Sequence, residues 1–308
     1  MSTPSILVTV PSDRLATDLG VMPDGVELQV WAMDSPAPAQ RIDLVVPPYM
    51  SMSNMLSRLE GVEVGLVQSQ SIGYDGVRDI LPSGMRFANA ASVHEASTAE
   101  LAVGLVIAAQ RGIPDFVRAQ DQRRWMSHSA DSLADRRVML LGYGGVGKAI
   151  AARLKPFEVD LFAVASSARV EEGMPVRAVE ELPELLGDTE IVVISLPGGD
   201  ATRGIVDDAF LSALPDGALV VNVGRGPLID TDALVAHTSR GRIRAALDVT
   251  DPEPLPEGHP LWEQPGVLIA PHVGGNSSAM RPRIARLVRS QIERLAAGDE
   301  PLNIVIDG

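Results

Sequence analysis

Short apolar runs and polar, helix-like segments alternate along the chain, and this alternation predicts an α/β fold. Between residues 5 and 90, polar turns and segments with helical apolar spacing separate five β-rich runs: SILVTV, ELQVW, IDLVVPPY, VEVGLVQ and MRFANA. A strand-like composition that alternates with a helical period is typical of a compact α/β unit.

The second half of the chain shows the same pattern more clearly. Six runs of strand length are almost continuously apolar: RRVMLLGYG, VDLFAVAS, IVVISLP, ALVVNVG, RAALDV and VLIAPH. Strands have this character when helices cover both faces of their sheet. Helix-like segments such as GKAIAARLK and TDALVAHTSRG separate most of the runs, so we predict a doubly wound parallel sheet.

Two helices are expected to organise these units into domains. EASTAELAVGLVIAAQ, at 95–110, is rich in Ala and Leu and predicts a helix that joins the two units. An amphipathic helix at 278–297 returns the chain to the first unit, where LNIVI adds a strand or a packing segment. The predicted domains are 1–97 with 278–308, and 98–277.

Composition narrows the function classes. With 40 acidic and 26 basic residues the net charge is −14, which argues against binding to nucleic acid. An anionic substrate would have to be attracted by positively charged groups close to its binding site. No apolar run reaches the ~20 residues that span a membrane, so we expect a cytoplasmic protein. The absence of cysteine excludes disulfides, thiol nucleophiles and zinc–thiolate sites, and we predict no metal centre.

A glycine-rich segment follows the first of the six apolar runs. LLGYGGVGKAI, at 140–150, places Gly142, Gly144 and Gly147 in G-x-G-x-x-G spacing between a strand and a helix. The glycines allow a tight turn, a close approach to a pyrophosphate, and close packing of the helix on the strand. With Gly145 and Val146 between them, they predict a dinucleotide site at a helix N-terminus.

The next strand lacks an expected acid. A carboxylate at its end would hold the adenosine ribose of NAD, but this position is Ala165, followed by Ser166, Ser167 and then Arg169. Hydroxyl groups and a guanidinium can accept a 2′-phosphate, so we favour NADP(H) over NAD(H). The alternative is a relaxed NAD site with Arg169 in solvent.

Three residues that follow later apolar runs are candidates for catalysis. Arg225 lies between two glycines and has the planar fork that suits a carboxylate. His272 can exchange a proton near neutral pH. Glu253 could pair with His272, but Asp251 and Glu257 in the same loop are equal candidates from the residues alone. The alternative roles are a surface arginine, a structural histidine and a solvated acidic loop.

The order of these motifs resembles one family. The glycine loop, VVISLPGGDATRGIV, NVGRG, LDVTDPEP and HPLWEQPGVLIAPHVGG resemble the D-isomer-specific 2-hydroxyacid dehydrogenases, over nearly the whole chain. The resemblance implies a Rossmann cofactor domain, a smaller flavodoxin-like substrate domain built from both chain ends, and a homodimer formed through the cofactor domain.

The resemblance also implies a role for each candidate. Arg225 binds the substrate carboxylate and carbonyl, His272 is the acid/base, and Glu253 rather than Asp251 pairs with it. Asp248 holds the nicotinamide carboxamide, and backbone amides of Ser71, Ile72 and Gly73 take the substrate carboxylate. Further implied cofactor contacts lie on the segments around the sheet edge: Thr98, Leu196, Pro197, Thr202 and Val223.

The implied reaction is hydride transfer between NAD(P)H and a small 2-oxo or D-2-hydroxy acid, as in a glyoxylate or hydroxypyruvate reductase. Formate and phosphite dehydrogenases resemble the same scaffold, but formate dehydrogenases place a glutamine where Glu253 stands. A co-repressor of the C-terminal-binding-protein type, which binds cofactor without turnover, is the alternative from another class.

Overall fold

The computed structural model describes residues 6–49 and 55–308. The chain divides into two compact units, Met1–His94 with Ser277–Gly308, and Glu95–Asn276. Ser5, the first residue of the predicted run SILVTV, lies outside the described part of the chain.

The strands and helices are numbered in chain order. The strands are β1 (Ile6–Val10), β2 (Val26–Val30), β3 (Arg41–Val45), β4 (Glu63–Gln68), β5 (Arg86–Ala88), β6 (Arg137–Leu141), β7 (Asp160–Ala165), β8 (Arg169–Glu171), β9 (Met174–Ala178), β10 (Ile191–Ile194), β11 (Ala218–Asn222), β12 (Ile243–Leu247), β13 (Val267–Ile269) and β14 (Ile304–Asp307). The helices are α1 (Asp13–Leu19), α2 (Val77–Ile80), α3 (Glu95–Gln110), α4 (Ile113–Asp121), α5 (Gly145–Leu154), α6 (Leu182–Leu185), α7 (Asp208–Ala213), α8 (Thr231–Ser239) and α9 (Met280–Ala297).

The smaller unit is built around a six-stranded sheet with the order β14-β5-β4-β3-β1-β2. Strands β1 to β5 are parallel, and their order is the flavodoxin-like one predicted. The segment LNIVI supplies β14, which pairs antiparallel with β5. Both ends of the chain therefore contribute to this unit. Helix α9 packs on it through an apolar stripe with helical spacing that includes Ile284, Val288 and Ile292.

The larger unit contains an eight-stranded sheet with the order β13-β12-β11-β10-β6-β7-β9-β8. All pairs from β13 to β9 are parallel. The first strand, β6, lies in the middle of the sheet, with β7 and then β9 on one side and β10, β11 and β12 on the other, which is the Rossmann strand order. Every residue of β10 and β11 is buried, since apolar clusters lie on both faces of the sheet. The predicted α/β class and doubly wound sheet are confirmed.

One edge of this sheet was not predicted. Strand β8 runs antiparallel to β9, and Glu172 and Gly173 form the two-residue turn between them with positive φ angles of 51° and 75°. Such turns usually carry Asn-Gly or Asp-Gly. The segment RVEEGMPVRA has no continuous apolar run, which is why the sequence did not mark it as strand. In the structure β9 pairs with β7 and buries Met174 and Val176, and β8 pairs with β9.

Two helices refine the predicted organisation. Helix α3 spans 95–110 as predicted and belongs wholly to the larger unit, so the observed boundary after His94 precedes the predicted one at 97. Helix α4 was not predicted; its Pro114 lies in the first turn, where the missing N–H costs no hydrogen bond. Within the described residues, no helix is long and apolar enough to cross a membrane.

Candidate active site

The glycine loop lies between β6 and α5, at the carboxyl edge of the larger sheet. Gly142 has a φ of 108°, and a Cβ at Gly147 would lie 2.2 Å from the Gly142 carbonyl oxygen. These two glycines therefore permit the turn and the close packing of α5 on β6. A Cβ at Gly144 would meet no atom within 4 Å, so the backbone there faces open space at the start of α5. The loop fits a pyrophosphate held by helix N-terminal amides.

Strand β7 ends at Ala165, as expected, and Ser166 and Ser167 are exposed beyond it. Arg169 is not simply in solvent. Its Nε donates to Glu171 Oε2 at 2.9 Å, and its Nη1 donates to the Ser167 carbonyl at 3.2 Å. The residues predicted to discriminate between NAD and NADP are thus close together, but the arginine has an acidic partner.

The segment after β10 lines the same edge. The Thr202 hydroxyl donates to the Pro197 carbonyl at 2.8 Å, and the Val223 amide donates to the Ile194 carbonyl at 3.0 Å. The Leu196 amide nitrogen lies 3.0 Å from a Cβ placed on Gly142. Leu196, Pro197, Thr202 and Val223 thus lie on segments that follow the central strands, where a dinucleotide would extend across the sheet.

Arg225 follows β11 in a turn where the flanking residues have no room for a side chain. A Cβ at Gly226 would lie 1.9 Å from the Thr250 carbonyl oxygen. Asn222 braces the turn, since its side chain donates to the Arg225 carbonyl at 2.8 Å and accepts from the Gly224 amide at 3.0 Å. The flanking glycines therefore allow close backbone packing.

Asp248 anchors the loop that carries His272. Its carboxylate accepts hydrogen bonds from the amides of Val273 at 2.8 Å and Gly274 at 2.9 Å, and its carbonyl accepts from the His272 amide at 2.7 Å. His272 has a φ of 53°, a conformation that non-glycine residues adopt rarely and that needs support from its surroundings. Asp248 is almost fully buried, and desolvation raises its pKa.

His272 and Glu253 form a direct pair. His272 Nδ1 lies 2.5 Å from Glu253 Oε1, with about a third of each side chain exposed. The hydrogen bond that His272 donates to Glu253 raises the pKa of His272, and the same bond lowers the pKa of Glu253. An ionised carboxylate only accepts hydrogen bonds, so Nδ1 carries the proton and Nε2 is the ring atom that exchanges one.

The rival acids of the same loop do not occupy this position. Asp251 faces Arg203 at 3.9 Å, and Glu257 is exposed. Arg225 is close enough for its charge to lower the pKa values of both Glu253 and His272. Arg225 follows β11, Glu253 follows β12 and His272 follows β13, so the three residues lie beyond the carboxyl ends of adjacent parallel strands at one edge of the sheet.

Thr98 lies beside this cluster on α3. Its side chain is buried, with Cγ2 3.4 Å and Oγ1 3.5 Å from a Cβ placed on Gly274. It is thus next to the loop that carries His272. Because α3 belongs to the larger unit, the Thr98 position is fixed by the same body as the predicted cofactor site.

In the smaller unit, Ser71, Ile72 and Gly73 form a loop after β4, which we call the substrate loop. The Ser71 carbonyl accepts from the Ala90 amide at 2.9 Å, and the Ile72 carbonyl accepts from the Asn89 side chain at 2.9 Å. These bonds fix the loop against the residues that follow β5.

The remaining four histidines have structural contacts: His94 bonds the Gln70 carbonyl, His128 packs on the Phe116 ring, His237 lies between Asp208 and Arg242, and His259 caps the turn at 260–262.

Sequence reasoning missed several residues at the site. Lys148 and Glu171 form an ion pair beside the glycine loop, and the Ser195 hydroxyl donates to the Gly142 carbonyl at 3.1 Å. Lys148 could have been noticed, because it directly follows the last glycine and is one of only two lysines. Glu171 gave no signal, since its position depends on the unpredicted β8–β9 hairpin.

Comparisons with known proteins agree with this geometry. Residues 103–274 match the family model described as D-isomer specific 2-hydroxyacid dehydrogenase, NAD binding domain. An uncharacterized protein in the proB 3′ region of Corynebacterium melassecola is 36% identical over 244 residues, which are 77% of this chain and 80% of that protein. The human glyoxylate reductase/hydroxypyruvate reductase is 29% identical over 284 residues, 86% of this chain and 87% of that protein.

A solved structure is similar over almost the whole chain. It is a D-isomer specific 2-hydroxyacid dehydrogenase from Xanthobacter autotrophicus Py2, in complex with NADPH and MES. Its TM-score is 0.82 at 29% sequence identity, and the match covers 99% of each chain.

Proposed function

The chain belongs to the D-isomer specific 2-hydroxyacid dehydrogenase family, and we propose that it acts as a reductase of a small 2-oxo acid of the glyoxylate or hydroxypyruvate type. The coarser activity, that of an NAD(P)-dependent oxidoreductase, follows from the family. The substrate class is supported by the human relative, a glyoxylate reductase/hydroxypyruvate reductase.

The observation that carries the proposal is the pairing of His272 with Glu253 beside Arg225. With Nδ1 held by Glu253 at 2.5 Å, His272 donates the proton from Nε2 to the oxygen of the substrate carbonyl. Glu253 keeps the ring protonated until that transfer. Arg225 binds the substrate carboxylate and polarises the carbonyl with its planar fork.

The cofactor, when bound, supplies the hydride. Gly142 to Gly147 and the first amides of α5 would hold its pyrophosphate, and Thr98 and the loop that carries His272 would border its nicotinamide. Asp248 would act mainly through that loop, because both of its carboxylate oxygens accept backbone amides there. This is a positioning role in addition to the carboxamide contact that the resemblance implies.

We propose NADP(H) as the preferred cofactor. Ala165 leaves no carboxylate at the end of β7 to repel a 2′-phosphate, and Ser166, Ser167 and Arg169 follow it. The Xanthobacter structure, which contains NADPH, supports the same choice. A higher kcat/KM with NADH than with NADPH would overturn it.

We also propose that the backbone amides of Ile72 and Gly73 in the substrate loop bind the substrate carboxylate. The Ser71 amide, to which the resemblance gave the same role, instead donates to Ser69 Oγ at 2.9 Å. The loop carbonyls of Ser71 and Ile72 are already bonded toward β5. This arrangement fixes the loop without using the amides of Ile72 and Gly73 for those bonds.

A homodimer formed through the larger unit is a further part of the proposal. Helix α4 exposes Ile113, Phe116 and Val117 at helical spacing, and the nearby Trp125 is 97% exposed. Neighbouring exposed apolar side chains of this size mark an interaction surface, and a second copy of the chain fits the family resemblance. Sedimentation of the wild type as a dimer and of Phe116→Ser with Trp125→Ser as a monomer would support it; a wild-type monomer would refute it.

The main test is turnover. A panel of 2-oxo acids, assayed by loss of NADPH or NADH absorbance, should give turnover with glyoxylate or hydroxypyruvate. His272→Ala should lower kcat roughly 10²–10⁴-fold, the usual contribution of a positioned acid/base. Near-normal turnover in this variant would refute the assignment of His272, and tight NADPH binding with no turnover on any 2-oxo acid would favour a non-enzymatic scaffold.

A further inference from the structure

Two cations near the end of β7 share one carboxylate. Glu171 accepts from Lys148 Nζ with Oε1 and from Arg169 Nε, at 2.9 Å, with Oε2. Each of these side chains is between about 30% and 40% exposed, so the cluster is open to solvent and to a ligand.

The cluster lies between the glycine loop and the end of β7. Lys148 belongs to α5, directly after Gly147, and its Nζ is 5.9 Å from the ring centroid of Tyr143 in the glycine loop. Arg169 begins β8 and bonds the Ser167 carbonyl. The parallel pairing of β6 with β7 places these two segments side by side. This is where a Rossmann site holds the adenosine ribose of its cofactor.

The two cations are balanced by acids of the same hairpin. Hydrogen bonds with Lys148 and then Arg169 lower the pKa of Glu171, and the bond with Glu171 raises the pKa of Lys148. The charge of the adjacent Glu172 also raises the pKa of Lys148. The positive charge that could attract a phosphate is therefore largely neutralised within the protein.

We propose that Glu171 competes with the 2′-phosphate of NADP(H) for Lys148 and Arg169, and thereby limits the preference for NADP(H) over NAD(H). The inference rests on the cofactor site of the function proposed above. A guanidinium bonds phosphate and carboxylate oxygens with the same fork, so the phosphate must displace Glu171 from Arg169 or share the guanidinium with it. Glu171 is thus a specificity-determining residue that the hairpin, rather than the end of β7, brings to the ribose.

The test measures binding of adenine nucleotides, without turnover. Titration calorimetry with 2′,5′-ADP and 5′-ADP would be done on the wild type, Glu171→Gln and Glu172→Gln. We expect Glu171→Gln to bind 2′,5′-ADP about tenfold more tightly, equivalent to about 1.4 kcal/mol, with 5′-ADP changed less than about twofold. Glu172→Gln removes the same charge from the same turn, and should give a gain at least about threefold smaller.

Glu171→Asp provides a second, milder variant. It keeps the charge but is one methylene shorter, so it should hold at most one of the cations and give an intermediate gain. Thermal unfolding of each variant checks that the hairpin remains folded, and the aspartate variant keeps the inference testable where the glutamine variant does not fold.

An unchanged or weaker affinity of Glu171→Gln for 2′,5′-ADP would overturn the inference, as would an equal gain in Glu172→Gln. These outcomes are separable from the proposed function. Turnover of 2-oxo acids with no effect of Glu171→Gln would refute only the competition. Tighter binding of 2′,5′-ADP to that variant, with no turnover of any 2-oxo acid by the wild type, would refute only the reductase function.

Discussion

Replacing Glu253 with Gln removes the charge that keeps His272 protonated while preserving most of the side-chain volume. In the wild type the hydrogen bond that His272 donates to Glu253 is the largest cause of the raised pKa of His272. The variant should therefore lose the protonated imidazole at lower pH. Reduction, which needs the proton on Nε2, should decline at lower pH than in the wild type, and oxidation, which needs the neutral ring, should begin at lower pH.

The size of the effect follows from the geometry of the pair. A hydrogen bond to a charged group contributes about 1.5–3 kcal/mol. Both side chains are about one-third exposed, so solvent screening reduces this value to about 1–2 kcal/mol. At a pH where His272 has lost its proton in the variant but keeps it in the wild type, kcat/KM for reduction should thus be about 5-fold to 30-fold lower in the variant.

The assay is the pH profile of kcat/KM, measured in both directions with one 2-oxo acid and the matching 2-hydroxy acid. Asp251→Asn is the matched control, because it removes a negative charge from the same loop while the Asp251 carboxylate faces Arg203. A Glu253→Gln profile that coincides with the wild type, or an equal displacement in Asp251→Asn, would refute the assignment of Glu253 as the partner of His272.

Three further substitutions test other parts of the site. Arg225→Lys should lower kcat/KM by more than about tenfold, because a point charge cannot replace two parallel hydrogen bonds. Gly147→Ala should destabilise the larger unit by about 1–3 kcal/mol in denaturant unfolding and weaken NADPH binding, because its Cβ would lie 2.2 Å from the Gly142 carbonyl oxygen. Asn89→Ala should raise KM for the 2-oxo acid more than KM for NADPH, since it releases the substrate loop.

Each of these has a contrary outcome. An unchanged kcat/KM in Arg225→Lys would refute its role as anchor. Gly104→Ala, on helix α3 with no atom within 4 Å of the added Cβ, should stabilise the protein or leave it unchanged; equal destabilisation by both alanine variants would count against the packing argument. Equal changes of both KM values in Asn89→Ala would indicate a general structural effect.

Much of the fold could be predicted because local patterns reflect burial. Continuous apolar runs correspond to strands such as β10 and β11, which are covered on both faces. The hairpin of β8 and β9 could not be predicted in this way. Its strands are short and lack a continuous apolar run: β9 pairs with β7 and buries only Met174 and Val176, and β8 pairs with β9.

The features of the candidate site likewise fall into those set by local sequence and those set by contacts between separate segments. The sequence alone determined the α/β class, the glycine loop and the missing acid at Ala165, because each depends on residue type and spacing within one segment. The residues alone left Asp251, Glu253 and Glu257 open as the partner of His272, and the family resemblance implied Glu253. Only the tertiary structure shows the 2.5 Å contact between Glu253 and His272, and the contact between Glu171 and Lys148. Both contacts depend on how separate segments approach each other across the sheet edge, and a distance of a few ångströms between side chains leaves no periodic trace in the chain.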